Sequence, residues 1–291
     1  MRQNQKISKT YDTIALTPAS VAKFRGSLND PKSLSLFLRD ADRAVTFLEA
    51  LSKGDNDMQN CLVEAFCNPD IIFDLVKAGK VDEIWAMVLK LSGPKQQSTV
   101  LSAPEVVFIL AKNGKADAVR DLIINFPDPE HRLSVCRAPY AIFGMAKYGD
   151  SGKTLSLIQD FPKAEQHTAI LSATHVVYGL IDNLESLGSQ ELLDMIQRLS
   201  TEQQADILAS HLAVFGLVKN GETEQVLSWL RTFTKTQQTR VLNAPYVIPV
   251  LIENAAPAEL EFFIDGKPQK RIGRSREERL SVYRSSQRHL H

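Results

Sequence analysis

Ala103-Pro104-Glu105-Val106-Val107-Phe108-Ile109-Leu110-Ala111-Lys112-Asn113-Gly114 is the stretch on which the fold turns. It aligns with Asn68-Pro69-Asp70-Ile71-Ile72-Phe73 on one side and Ala138-Pro139-Tyr140-Ala141-Ile142-Phe143 on the other. The prolines stand 35 residues apart, at 69, 104 and 139. The same offset stacks Gly79, Gly114 and Gly149 in one column and Leu91, Phe126 and Phe161 in another. Independent columns agreeing at one spacing identify an internal repeat, and a repeat of this length points to stacked supersecondary units.

The frame continues with less regular copies. Ser172-Ala173-Thr174-His175-Val176-Val177-Tyr178 opens the next one, with Thr174 in place of the proline. An insertion near Leu187-Gly188-Ser189 adds two residues; His211 to Phe215, Lys219-Asn220-Gly221 and Val241 to Pro245 then follow. Leu36 to Leu51 reads as a degenerate first copy.

Within residues 100–137, Pro104 suits the first position of a helix, where its missing N–H costs nothing. Val106, Val107, Leu110 and Ala111 recur at helical spacing, and Asn113-Gly114 reads as a stop. A second helix is expected from Ala116 to Phe126, ended by Pro127. Asp128 and Pro129 look like the cap and first position of a short third helix. Helices of about 8 to 12 residues are marginal alone in water. Their broad apolar stripes need neighbouring copies to cover them, which is the logic of an α-solenoid. No alternating strand pattern competes. The expected fold class is therefore all-α, an α-solenoid of about 35-residue repeats with atypical ends. The domain reading is an N-terminal segment over 1–30, a helical-repeat body over 31–265 and a basic tail over 266–291.

The run from Leu101 to Gly114 resembles a transcription activator-like effector repeat, and the likeness extends through Ala118-Val119 to Phe126-Pro127. Across the chain it covers about residues 65–255. The resemblance implies a superhelix whose inter-helix loops face the DNA major groove. It implies a base-reading pair at Lys112-Asn113 and, by position, at Lys77-Ala78, Lys147-Tyr148, Asp182-Asn183 and Lys219-Asn220. The chain departs from that family where its Gly-Gly-Lys segment meets the DNA backbone, since Gly114-Lys115-Ala116 stands there and the other copies differ. The ankyrin and tetratricopeptide signatures are absent.

The repeat frame also aligns Lys77, Lys112, Lys147, Asp182 and Lys219. In register, these lysines would attract phosphates or an acidic partner. They equally suit the last turn of a helix, where the macrodipole favours cations, and Asp182 and Glu253 interrupt the row. The 291 residues carry 34 Lys and Arg against 34 Asp and Glu, so a generically basic nucleic-acid binder is excluded. That neutrality is not evenly spread. Residues 267–291 hold eight Lys and Arg and two acids, a net +6 set against −6 for the rest. Lys270, Arg271, Arg274, Arg276 and Arg279 form the basic core of this tail. It reads either as a solvated terminus, as a weak contact for anionic membranes, nucleic acid or an acidic partner, or as the translocation signal of a secreted bacterial effector.

No catalytic constellation is found. Gly149-Asp150-Ser151-Gly152-Lys153-Thr154 lacks the first glycine of a phosphate loop, because Lys147 occupies that place. His131, His167, His175 and His211 have neither His-x-x-x-His spacing nor matched cysteines. Cys61, Cys67 and Cys136 are odd in number, which favours free thiols in a reducing compartment. Trp85 and Trp229 are expected to pack rather than stack on a ligand. No catalytic residue, metal or cofactor is assigned. The expected function is a non-enzymatic binding protein whose partner is another protein; the alternative is DNA gripped through the inter-helix loops. With no apolar run long enough to span a membrane and no secretory signal, the expected location is the cytoplasm, or a host cell for an effector.

Overall fold

A computed structural model describes residues 16–210 and 212–255, and among these every regular element is helical. The chain divides into two compact units, Met1–Asp150 and Ser151–His291. The N-terminal unit holds α1 (Pro18–Ser27), α2 (Pro31–Leu38), α3 (Ala41–Ser52), α4 (Asn56–Phe66), α5 (Pro69–Lys77), α6 (Val81–Lys90), α7 (Pro94–Leu101), α8 (Val106–Leu110), α9 (Ala116–Ile124), α10 (Pro129–Cys136) and α11 (Ala141–Tyr148). The C-terminal unit holds α12 (Ser151–Gln159), α13 (Ala164–Leu171), α14 (Val176–Ile181), α15 (Ser186–Gln197), α16 (Thr201–Leu208), α17 (Ala213–Lys219), α18 (Thr223–Thr232), α19 (Lys235–Leu242) and α20 (Val247–Asn254). Helix α1 lies within residues 1–30 and packs on α4, so the helical packing begins inside the N-terminal segment.

The helices come in threes. In the N-terminal unit α1, α2 and α3 pack on α4, α5 and α6, α4 and α5 pack on α7 and α8, and α7 and α8 pack on α10 and α11. In the C-terminal unit α12, α13 and α14 pack on α15, α16 and α17, and α16 and α17 pack on α19 and α20. Within each unit these helices thus pack on their counterparts one repeat further along. The core is the sum of these contacts: Leu48, Leu62, Ile71, Ile84, Leu101, Val119 and Ile123 in the first unit, and Leu192, Ile207, Leu217, Leu227 and Leu230 in the second, are wholly buried.

The sequence explains the helix starts. Asp30, Asp40, Asp55, Asn68 and Asp128 cap α2, α3, α4, α5 and α10 by accepting hydrogen bonds from N–H groups of the first turn. Ser200 and Thr234 build reciprocal capping boxes with Gln203 and Gln237 at α16 and α19. Pro69 and Pro129 take the first helical position as expected.

Pro104 does not. Helix α8 starts at Val106, and Pro104 and Glu105 form a turn closed by Val106 N–H donating to the Ala103 carbonyl at 3.3 Å. Glu105 adopts φ 66°, ψ −11°, the third position of a type II turn, whose second position favours proline. The turn recurs at Tyr140, His175, Leu212 and Tyr246, all non-glycine residues with φ between 62° and 66°. The prolines at 104, 139 and 245 are therefore turn residues. The second helix of this repeat ends at Ile124 rather than Phe126. Gly114, at φ 85°, supplies the expected left-handed stop, together with a π-type link over Ala111–Lys115.

The middle helices of successive repeats approach closely. A Cβ placed on Gly144 of α11 would lie 2.9 Å from the Cα of Phe108 on α8. One on Gly216 of α17 would lie 2.9 Å from the Cα of Tyr178 on α14. Only hydrogen fits at these crossings. Gly26 in α1, by contrast, has no neighbour within 4 Å of an added Cβ. The same substitution should then act in opposite directions at the two sites. Gly26→Ala is expected to raise stability by about 0.5–1 kcal/mol through helix propensity. Gly144→Ala is expected to lower it by about 1–3 kcal/mol through overpacking against backbone. Urea denaturation of both variants checks this; a stabilised Gly144→Ala would disprove the close crossing.

Candidate functional site

Four middle helices carry an aromatic residue and, one turn later, a cation. The pairs are Phe73 with Lys77 on α5, Phe108 with Lys112 across α8 and the π-type link, Phe143 with Lys147 on α11 and Phe215 with Lys219 on α17. Tyr178 with Asp182 breaks the pattern at α14. Residues four apart share one helix face, so each cation rises beside its ring. The Lys147 ammonium lies 5.2 Å from the Phe143 centroid and 5.8 Å from that of Tyr148, and Lys219 lies 5.9 Å from Phe215.

The rings join along the row because glycine draws their helices together. In the N-terminal unit Phe108 stacks on Phe143 at 5.8 Å and 20°, and meets Tyr140 at 6.1 Å and Tyr148 at 5.8 Å. In the C-terminal unit Tyr178 meets Phe215 at 6.1 Å, and Phe215 meets Tyr246 at 6.4 Å. Phe73 is 56 % exposed, Tyr148 37 % and Tyr246 56 %. Phe108, Phe143, Tyr178 and Phe215 are half-buried. Each unit thus presents a band of accessible aromatic surface flanked by lysine.

Lys77, Lys112 and Lys147 are exposed, and none forms an ion pair among the described residues. Lys219 pairs with Glu253 at 3.5 Å. The asparagines that follow Lys112, Asp182 and Lys219 are engaged with the backbone. The Nδ2 groups of Asn113, Asn183 and Asn220 donate to the carbonyls of Ile109, Gly179 and Gly216 at 2.7, 2.8 and 3.0 Å. Asn254 repeats this arrangement, donating to Val250 at 2.7 Å. The amides satisfy carbonyls that the helix ends would otherwise leave open. Tyr148 takes the corresponding place on α11 with its ring in the aromatic band, and Ala78 and Asp182 are exposed.

A second set of lysines, three residues further on, is structural. Lys80 reaches back one repeat to Asp42 at 2.6 Å, and Lys115 to Asp82. The hydrogen bond to Asp42 holds the Lys80 ammonium above its ordinary pKa. Lys115 occupies the place where the resembled family meets the DNA backbone, and here it ties α9 to α6. In the C-terminal unit Arg240 bridges Glu202 and Asp206, at 2.9 Å to each. Buried Trp229 donates its indole N–H to Gln197, as befits a packing residue.

Other groupings are less developed. An open cleft of about 410 Å³ in the C-terminal unit gathers Gln159, His167, Glu191, Asp194 and Arg198. Gln159 donates to Glu191 at 3.5 Å and Gln190 to Asp194 at 2.8 Å. Among the described residues no group of three His, Cys, Asp or Glu side chains is placed to hold a metal ion. Gly152, Lys153 and Thr154 lie in α12, with Thr154 buried. No described helix is long and apolar enough to cross a membrane. His211 and the basic tail residues Lys270, Arg271, Arg274, Arg276 and Arg279 lie outside the described residues.

Cys61, Cys67 and Cys136 are free thiols. Burial pushes Cys136 up to about 12 and Cys61 up to about 11, and also raises Cys67. A thiol with a pKa near 11 holds only about one thiolate in a thousand at pH 8, and the thiolate is the nucleophile. Neither Cys61 nor Cys136 is therefore set up for nucleophilic catalysis.

The aromatic half of the band was legible in the sequence, since Phe73, Phe108 and Phe143 end the aligned segments that define the repeat. Hydrophobic spacing singled out Val106, Val107, Leu110 and Ala111 instead and gave the rings no role. No protein-family model, curated protein or solved structure matches the chain.

The thiols give a direct check on the burial. In native protein at pH 8, Ellman's reagent is expected to leave Cys61 and Cys136 unmodified over the time in which a denatured sample reacts at all three cysteines. Rapid labelling of native Cys136 would contradict its burial.

Proposed function

We propose that this chain is a non-enzymatic helical-repeat binding protein of the α-solenoid kind, and that it holds another protein along the face of its middle helices. The observation that carries this reading is the repeated aromatic–lysine pair on successive middle helices. Large apolar side chains left accessible in a row, rimmed by charge, are the surface composition of a protein-binding site rather than of an ordinary solvated face. Stacked repeats extend such a surface by adding one helix at a time.

DNA binding is the second reading. The favouring observation is the row Lys77, Lys112 and Lys147, exposed and without ion pairs among the described residues. Against base reading, Asn113, Asn183 and Asn220 already donate to helix carbonyls. Lys115, in the backbone-contact position, is bound to Asp82.

Two measurements separate the readings. A photo-crosslinking amino acid placed at Phe73 or Tyr148 is expected to form protein adducts in cells. The same group at Leu89, which is exposed on α6, is expected to form few. Equal adducts from Leu89 would sink the protein-binding reading. In a gel-shift series at low salt, duplex DNA is expected to remain free. Retention that weakens with salt, and whose slope flattens when Lys77, Lys112, Lys147 and Lys219 are changed together to Glu, would favour DNA.

A further inference from the structure

We propose that the face formed by α5, α8 and α11 binds an extended acidic peptide of a partner protein, with carboxylates recurring about every third residue and apolar side chains between them. This deepens the protein-binding reading and rests on it.

The argument starts from charge. Lys77, Lys112 and Lys147 stand on three successive middle helices and make no ion pair among the described residues. Each follows a ring by one helical turn, so an anion reaching a lysine also reaches aromatic surface. Residues 1–15, with three basic side chains and one acid, and residues 267–291, with a net +6, do not complement this face; the acids of the C-terminal region are Glu259, Glu261 and Asp265, ahead of the basic tail. An acidic peptide of a partner supplies charge complementary to all three lysines.

The rings decide between a polypeptide and a nucleic acid. Phe108 and Phe143 are 5.8 Å apart and nearly parallel. A base inserted between them needs about twice the 3.4 Å rise of stacked bases. The Lys147 ammonium also lies on the Phe143 ring. Open platforms for base stacking are thus missing from this part of the band. Asp70, Asp74 and Glu105 are exposed on the same elements and oppose an unbroken run of phosphates. A peptide avoids them by placing its carboxylates only where the lysines are.

The spacing follows from the packing. Helix α5 packs on α8, and α8 on α11, and packed helices lie about 8–10 Å apart. An extended chain advances about 3.3 Å per residue. One carboxylate in three therefore keeps step with one lysine per helix, and the two residues between them offer side chains to the rings.

The test uses the full chain and fluorescence anisotropy. The probe is a labelled peptide with Glu at every third position and Leu and Phe between. The first control has the same composition with its acids contiguous; the second has Lys for Glu; the third is an oligothymidine of equal charge. The spaced acidic peptide is expected to bind best. Lys77→Glu, Lys112→Glu and Lys147→Glu together are expected to weaken it at least about tenfold and to strengthen the Lys peptide. Lys90→Glu on α6 is expected to change neither, and circular dichroism confirms that the triple variant is folded. Equal binding by the triple variant, preference for contiguous acids, no peptide binding, or preference for oligothymidine each overturns the inference. If crosslinking at Phe73 and Tyr148 still yields protein adducts while the acidic peptide fails, only the partner chemistry is wrong. Loss of both removes the protein-binding reading as well.

Discussion

Short helices that cannot bury their own apolar residues are the constraint on which everything else in this protein depends. Helix α8 has five residues, and Val106, Val107, Ile109 and Leu110 are all buried. Four buried side chains on five positions surround the helix, so a single neighbour cannot cover them. The solution is the packing of each helix on its counterpart one repeat away: α8 sits between α5 and α11. The unpaired stripes of an isolated repeat would be marginal in water.

The same constraint shapes the surface. To nest middle helices closely, the chain uses Gly144 and Gly216 at two crossings and a left-handed residue at the entries to α8, α11, α14, α17 and α20. Such backbone normally favours glycine, yet Glu105, Tyr140, His175, Leu212 and Tyr246 adopt it, at a local cost of about 1–2 kcal/mol each. The turn aims the middle helix, and the carbonyl of the left-handed residue accepts the first helical hydrogen bond, as from Gly144 N–H to Tyr140 at 2.8 Å. Helices brought this near leave no depth in which to bury a large ring between them. Phe108 and Phe143 accordingly lean over the crossing and stay half-accessible. The exposed aromatic band is thus a consequence of close packing beneath it.

Charge is divided between two lysine sets separated by three residues. Lys80 and Lys115 stand just before α6 and α9 and reach acids of the preceding repeat, Asp42 and Asp82. Lys77 and Lys112 end middle helices and face solvent. Exposed ion pairs each contribute little to stability, roughly 0–1 kcal/mol, so the first set serves register more than strength. The second set leaves its charge available. The asparagines beside it belong to the scaffold, because their amides close helix ends.

From the sequence alone followed the all-helical class, the 35-residue period, the cap at Asp128 and the glycine stop at Gly114. These depend on local backbone preference and on periodicity, which the chain carries in each copy. The period also revealed the lysine column. It did not reveal that Pro104 belongs to a turn and not to a helix, because proline's fixed φ suits both and only the conformation of Glu105 decides between them. Nor did it separate Lys77 from Lys80, since both read as lysines near a helix end until an acid from the preceding repeat comes within reach of one of them. The aromatic column carried no assignment, because the exposure of an apolar residue near a helix crossing is undecided until its neighbour's backbone is placed. Only the tertiary structure put the Cα of Phe108 against Gly144, left its ring half-exposed, and so made a surface out of a column the pattern had not assigned.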